Sequence, residues 1–188
     1  LGMHEVLNGG KEMLSVRVFA PGAKAVTVIE KKGRKKEFEA QLIHDDGFFE
    51  AVITSRKKWF PYTLRIEYND GNIYETADKY SFRPTVSEYD RYLYGAGTHY
   101  EIYKKLGAHL CNIDGTDGVS FAVWAPNAKS ISIVGSFNYW DGRTAQMRML
   151  GNSGIWELFV PEAAEFDKYK FRIKDRNGKT VDKSDPFG

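Results

Sequence analysis

The sequence predicts an all-β protein made of two tandem β-sandwiches. One observation is an internal repeat: residues 16–29 (VRVFAPGAKAVTVI) recur as residues 121–134 (FAVWAPNAKSISIV), 105 positions further along the chain. The other is a period-two alternation of apolar and polar side chains within each copy. That alternation is typical of strands with one buried and one solvated face. Each copy is therefore predicted to form a sandwich of its own.

The repeat keeps its register beyond its best-matched segment. Residues 47–50 (GFFE) correspond to residues 154–157 (GIWE), and residues 62–66 (YTLRI) correspond to residues 169–173 (YKFRI). Both pairs are 107 positions apart, so the register changes by only two residues along a whole copy. Two diverged copies of one fold explain this pattern.

Short strands separated by turn residues are predicted throughout both copies. Apolar side chains alternate with polar ones in residues 14–18, 62–66 and 169–173. Dipeptides that favour tight hairpin turns follow or precede these segments. They are Asp46-Gly47, Asp70-Gly71 and Asn177-Gly178. Roughly seven strands per copy would form an immunoglobulin-like sandwich.

The two copies are joined by residues 84–97, which are predicted to contain a short helix. Ser87 can cap its N-terminus together with Asp90 three residues later, and two glycines follow the helical segment. We therefore expect an N-terminal sandwich with the linker helix in residues 1–97, and a second sandwich in residues 98–188.

Composition and charge exclude several classes of protein. The 188 residues are 42% hydrophobic and 28% charged, as in soluble globular proteins. No apolar run approaches the ~18 residues of a membrane span, so no membrane partner is expected. A formal net charge of +2 is too small to indicate nucleic-acid binding. The single cysteine, Cys111, excludes an internal disulfide and predicts a reducing, cytoplasmic location.

The sequence contains no catalytic constellation. None of its four histidines has a partner at metal-ligand spacing, and no glycine loop leads from a strand into a helix. Neither a metal nor a cofactor is therefore expected. The basic cluster in residues 31–36 is interpreted as a solvated hairpin tip, with polyanion binding as the alternative.

The strongest candidate site is the segment 135–142 (GSFNYWDG). It combines Asn138, Tyr139 and Trp140 without the alternation that would place them in a core. The corresponding turn of the first copy, residues 31–36, has no aromatic residue, so the shared fold does not require one. A flat aromatic ring suits the apolar face of a sugar. The residues alone leave two interpretations open: a sugar contact, or a loop packed under its own aromatic ring.

Lys170 is the second element of this candidate site. Its position in an alternating strand puts it on the solvated face, with Arg172 beside it, whereas the first copy has Thr63 there. An ammonium group in this position can donate hydrogen bonds to hydroxyl groups.

Several motifs resemble known families. Residues 135–140, 169–171 and 184–187 together resemble carbohydrate-binding module family 48, which binds glycogen. A longer series of motifs covers essentially the whole chain and is similar to the N-terminal half of bacterial 1,4-α-glucan branching enzymes. It comprises residues 97–109, 121–126, 137–142 and 154–157, with 1–4 and 47–49 in the first copy.

The resemblance implies a non-catalytic N-terminal region with α-1,4-glucan or glycogen as its ligand. Its partner would be a C-terminal catalytic (β/α)₈ barrel of the same parent chain. The sugar-contacting tryptophan and lysine of the family fall on Trp140 and Lys170, with Asn138 and Tyr139 beside them. The related glycogen-sensing modules have a second tryptophan shortly before an Asp-Pro pair. Residues 178–183 contain no aromatic, which implies weak binding.

Three alternatives to glucan binding by a branching enzyme remain. Both sandwiches could be purely structural scaffolds, with Trp140 only packed. The second sandwich could belong to a debranching enzyme, or to a glycogen-sensing regulatory subunit.

Overall fold

The computed structural model describes residues 1–8, 11–31 and 35–188. These residues form two compact units, Leu1–Ser81 and Phe82–Gly188. Strands dominate both units and pair in antiparallel fashion, which confirms the all-β class. Among the described residues, no helix has the length and apolar character that crossing a bilayer requires.

Unit 1 contains seven described strands in the order β1-β2-β5-β4-β3-β6-β7. Half of the basic tip predicted at residues 31–36, namely residues 32–34, lies outside the described residues. A short 3-10 helix, Lys79–Ser81, follows the last strand. The strands are β1 (Gly2–Asn8), β2 (Lys11–Phe19), β3 (Ala23–Glu30), β4 (Glu37–His44), β5 (Phe48–Ile53), β6 (Tyr62–Tyr68) and β7 (Ile73–Ala77).

Strand β4 connects the two layers of unit 1. Its first half pairs with β3, as in Val26 opposite Ala40. Its second half pairs with β5, as in Gln41 opposite Glu50, with a register shift just beyond. The apolar faces of β2 and β5 then pack against those of β3 and β6. Leu14 and Val28 of this core are fully buried, so the period-two pattern marks the buried faces correctly.

Unit 2 has a four-stranded sheet, β11-β12-β9-β8, and a three-stranded sheet, β10-β13-β14. The helix α1 (Glu88–Gly95) precedes them. The strands are β8 (Gly107–Ile113), β9 (Thr116–Trp124), β10 (Ala128–Gly135), β11 (Arg148–Met149), β12 (Ile155–Val160), β13 (Tyr169–Asp175) and β14 (Thr180–Lys183).

The boundary between the units differs from the one predicted at residue 97. Residues 82–97 belong to unit 2, because their apolar side chains complete its core. Val86 is buried in a cluster with Leu106 and Ile155. The ring of Phe82 contacts that of Phe159, with centroids 4.6 Å apart. The linker helix is therefore part of the second domain.

A tyrosine–aspartate hydrogen bond, buried in unit 1 and half-buried in unit 2, occurs at the same place in both units. The Tyr62 hydroxyl donates to Asp78, and the Tyr169 hydroxyl donates to Asp185 Oδ2 at 2.5 Å. The backbone N–H two residues after each aspartate donates to its other carboxylate oxygen, at 2.9 and 2.8 Å. These bonds tie the end of each copy to its β6 or β13 strand, and they show that the sequence repeat is also a structural one.

A glycine–proline contact is repeated in the same way. Gly47 and Gly154 have φ angles of +95° and +74°. A Cβ atom at these positions would lie 2.5 Å from Pro21 Cα and 3.0 Å from Pro126 Cα, respectively. In both copies the glycine carbonyl accepts a hydrogen bond of 2.8 Å from the alanine before the proline. Both glycines are thus required by backbone conformation and by close approach.

We expect Gly47→Ala to destabilise unit 1 by more than Gly22→Ala. Gly22 also has a positive φ, +78°, but a Cβ there would meet nothing within 4 Å. Its substitution should cost only the roughly 1–2 kcal/mol of a left-handed L-residue. At Gly47 the backbone clash adds to that cost. Chemical denaturation of both variants checks this, and equal losses would contradict the packing argument.

Helix α1 is fixed by a charged network around Asp90. Ser87 caps the helix and forms the predicted capping box with Asp90. The Asp90 carboxylate also lies 3.0 Å from His99 Nε2 and 3.3 Å from Lys105 Nζ. Burial alone would raise the pKa of Asp90, but hydrogen bonds from Ser87, His99 and Lys105 hold it well below its usual range.

This network should make the free energy of unfolding of unit 2 decrease at acid pH. A depressed carboxylate pKa stabilises the fold above the unfolded-state value of about 3.9, and the stabilisation is lost as the pH falls below it. The free energies of unfolding of wild type and Asp90→Asn should therefore differ most near neutral pH. The difference should shrink as the pH falls below about 4. Asp114→Asn, in an exposed turn, is the control. A difference that is independent of pH would contradict the prediction.

Candidate functional site

The segment between β10 and β11 lies over the outer face of β10. It contains two short 3-10 helices, Ser136–Asn138 and Gly142–Thr144. Gly142 approaches so closely that a Cβ there would lie 2.7 Å from Ser132 Cβ. Gln146 Nε2 donates to Ser132 Oγ at 2.7 Å. The segment therefore covers β10, and its residues 138–141 lie beside the neighbouring strand β13.

Asn138 holds the start of this segment in place. Its Oδ1 accepts a hydrogen bond from the Gly135 N–H at 2.9 Å. Its Nδ2 donates to the Ile133 carbonyl at 2.9 Å. Both ends of the carboxamide are thus engaged by the backbone where β10 ends. Asn138 acts here as a positioning residue for the loop.

Tyr139 and Trp140 follow in an uncommon backbone conformation. Their φ angles are +53° and +61°, in the left-handed region that L-residues rarely adopt. The Trp140 N–H donates to the Gly135 carbonyl at 2.9 Å, which closes the turn. The two side chains are 94% and 43% exposed. Tyr139 is therefore almost fully solvated, whereas Trp140 is partly covered and partly open to solvent.

Lys170 and Arg172 of β13 lie on the same outer face as this loop. They pair with Val134 and Ser132 of β10, the two positions whose side chains face away from the core. The Arg172 guanidinium forms two hydrogen bonds of 2.8 Å with Asp182 of β14. Through these bonds it lowers the pKa of Asp182.

Arg172 also joins the strand to the loop, because its Nη1 donates to the Trp140 carbonyl at 3.4 Å. Lys170 lies two residues away on the same face of the strand and is exposed. In the described part of the chain, its ammonium group has no hydrogen-bond or ion-pair partner. The loop that carries Tyr139 and Trp140 therefore lies against the face of the sheet that carries Lys170.

Sequence reasoning missed one exposed aromatic residue near this face. Phe166 lies in the loop that leads from β12 into β13 and is 92% exposed. The signal was present, because Phe166 stands between Glu165 and Asp167 without any apolar periodicity. That same criterion selects Trp140 from the sequence.

Comparisons with known proteins agree with the division into two units. Residues 1–80 match the family model of the alpha-1,4-glucan branching enzyme GlgB N-terminal domain. Residues 105–188 match carbohydrate-binding module 48, described as the isoamylase N-terminal domain. The two matches correspond to the two copies of the repeat.

Curated relatives match over the whole chain. The chain is 45% identical over 191 residues to the 1,4-alpha-glucan branching enzyme GlgB of Trichodesmium erythraeum. It is 42% identical to the GlgB proteins of Thermosynechococcus vestitus and Protochlamydia amoebophila, over 189 and 187 residues. Each match covers 100% of this chain and 24% of the relative. The chain thus spans about a quarter of the length of these relatives.

Among solved structures, the pullulanase of Anoxybacillus sp. LM18-11 aligns with a TM-score of 0.36 at 14% identity. The alignment covers 98% of this chain and 25% of that one. A likeness of this size carries no argument about this chain.

Asn138→Ala should destabilise unit 2 by about 1–3 kcal/mol. The substitution leaves the Gly135 N–H and the Ile133 carbonyl without their partner. Asn152→Ala, at an exposed turn position of the same unit, should change the free energy of unfolding by no more than about 0.5 kcal/mol. Denaturant titration measures both values. An Asn138→Ala cost no greater than that of the control would show that the amide does not hold the loop.

Proposed function

We propose that this chain binds and positions α-1,4-glucan through its second unit. The chain belongs to the GlgB branching-enzyme family through its N-terminal domain and its carbohydrate-binding module 48. The observation that carries the proposal is an exposed tryptophan on a hydrogen-bonded loop, next to an exposed lysine on the adjoining strand. The fold alone would not support a function. The arrangement of these side chains does.

The chemistry of this face fits a sugar. The Trp140 ring offers a flat apolar surface for the C–H face of a glucose unit. The exposed Lys170 ammonium and the Tyr139 hydroxyl can form hydrogen bonds with sugar hydroxyls, and these bonds would fix the orientation of the sugar ring. Arg172 is held by Asp182 and the loop, so we assign it to support rather than to direct contact.

We assign Asn138 a role other than the sugar contact expected from the sequence. It was expected beside the sugar-contacting residues, but its carboxamide is already used by the backbone. We therefore assign it to positioning Trp140 rather than to sugar contact.

We further propose that the parent enzyme forms α-1,6 branches in α-1,4-glucan in the cytoplasm, and that catalysis lies outside these 188 residues. The names of the matched relatives support the reaction. The first unit would serve as a scaffold, and a catalytic (β/α)₈ barrel of the parent chain would be the partner of both units. Even a weak glucan site is useful when tethered to an enzyme that acts on a polymer, because tethering raises the effective concentration.

Trp140→Ala should abolish the binding of maltoheptaose and glycogen while changing the melting temperature little. Trp140 is 43% exposed and is not one of the buried core residues, so its removal takes little from that core. Trp124→Ala is the matched control, since Trp124 lies in the same unit and is 49% exposed. That variant should retain binding. Affinity electrophoresis in glycogen-containing gels and thermal unfolding provide the two measurements.

Two results would contradict the proposal. One is a wild-type chain that glucan does not retard. The other is a large loss of stability in Trp140→Ala, which would instead support the scaffold alternative.

A further inference from the structure

Aromatic residues account for most of the unusual backbone conformations in the described part of the chain. Five non-glycine residues there have a positive φ angle. Three of them are aromatic: Tyr139, Trp140 and Phe166. Bulky residues are disfavoured in this region because Cβ approaches the carbonyl oxygen. Such outliers persist only where the surrounding structure holds them, and they cluster at functional sites.

Phe166 is the most exposed phenylalanine in the described ranges. It is 92% exposed, with a φ angle of +69°. Burial of its ring does not explain this conformation, since almost none of the ring is buried. The strained backbone instead directs a large apolar side chain into solvent.

The loop that carries Phe166 is rigidly built around Asp167. The Asp167 carboxylate accepts a hydrogen bond of 2.8 Å from the Ala164 N–H. Its other oxygen accepts one of 2.5 Å from the Ser136 hydroxyl. The Asp167 N–H in turn donates to the Ala164 carbonyl at 3.3 Å. Asp167 therefore closes the turn that carries Phe166 through both its carboxylate and its backbone N–H.

The same contacts connect this loop to the one that carries Trp140. Ser136, at the start of the Trp140 loop, donates its N–H to the Lys168 carbonyl at 2.9 Å. Its hydroxyl oxygen accepts from the Lys168 N–H at 3.2 Å. With the Asp167 bond, three hydrogen bonds fasten the two loops together where β10 ends and β13 begins. Tyr139, Trp140 and Phe166 thus all belong to one connected pair of loops.

We propose that Phe166 supplies a second apolar contact for the glucan bound at Trp140, so that the site spans several consecutive glucose units. This inference rests on the proposed glucan binding. Residues 178–183 contain no aromatic, whereas the β12–β13 loop carries Phe166 and is hydrogen-bonded to the Trp140 loop. A site with two separated aromatic contacts binds long glucans more tightly than short ones.

The test compares maltotriose and maltoheptaose binding by calorimetry with the 188-residue chain. Phe166→Gly removes the ring and relieves the backbone strain. It should raise the Kd for maltoheptaose about three- to tenfold, the loss of one aromatic contact. The Kd for maltotriose should stay unchanged, and the melting temperature should stay equal or rise. Tyr100→Ala, which removes another aromatic side chain that is 87% exposed in the same unit, should alter neither Kd.

The outcomes separate this inference from the proposed function. An unchanged maltoheptaose Kd in Phe166→Gly, with binding still lost in Trp140→Ala, would overturn only the role of Phe166. A lowered melting temperature in Phe166→Gly would also overturn it, because the ring would then be packing against the protein. A wild-type chain that binds neither sugar would overturn both proposals.

Discussion

The presentation of the aromatic loop depends on the carboxamide of Asn138. By pairing with the Gly135 N–H and the Ile133 carbonyl, it replaces the strand partner that β10 loses where the chain leaves the sheet. An asparagine can do this because it carries a donor and an acceptor on one short side chain. The chain then turns through two left-handed residues, Tyr139 and Trp140. Hydrogen bonds thus fix the backbone that carries the tryptophan ring.

The two units share their framework and differ in their loops. The tyrosine–aspartate bond and the glycine–proline contact recur at equivalent positions, because both fasten the strands of the sandwich to the segments that flank them. No such requirement applies to the segment after β3 or β10, where one copy has a lysine-rich turn and the other an aromatic loop. Binding residues on loops that a rigid scaffold positions are a common arrangement. The glucan site that we propose thus lies on a loop that has no aromatic counterpart in the first copy.

Exposed aromatic side chains and left-handed backbone both oppose folding, so the second unit must compensate for them elsewhere. Its core supplies that compensation, since Phe121, Phe159 and Phe171 are almost completely buried. The hydrogen bonds of Ser136 and Asp167 hold the two loops in a conformation that their own residues would not favour. Preorganised loops of this kind lose less entropy when a flexible glucan binds. In the glucan site that we propose, this ordering of the loops would favour recognition.

Local sequence patterns determined the fold class, the repeat, the helix cap at Ser87, and the solvated position of Lys170, because strand parity and capping act over only a few residues. They also marked Trp140 as a residue that the shared fold does not need. Only the tertiary structure decided that Asn138 is used by the backbone, that residues 82–97 pack with the second unit, and that Phe166 projects beside the Trp140 loop. Each of these depends on which groups distant in sequence come within hydrogen-bonding or packing distance, and local patterns do not contain that information.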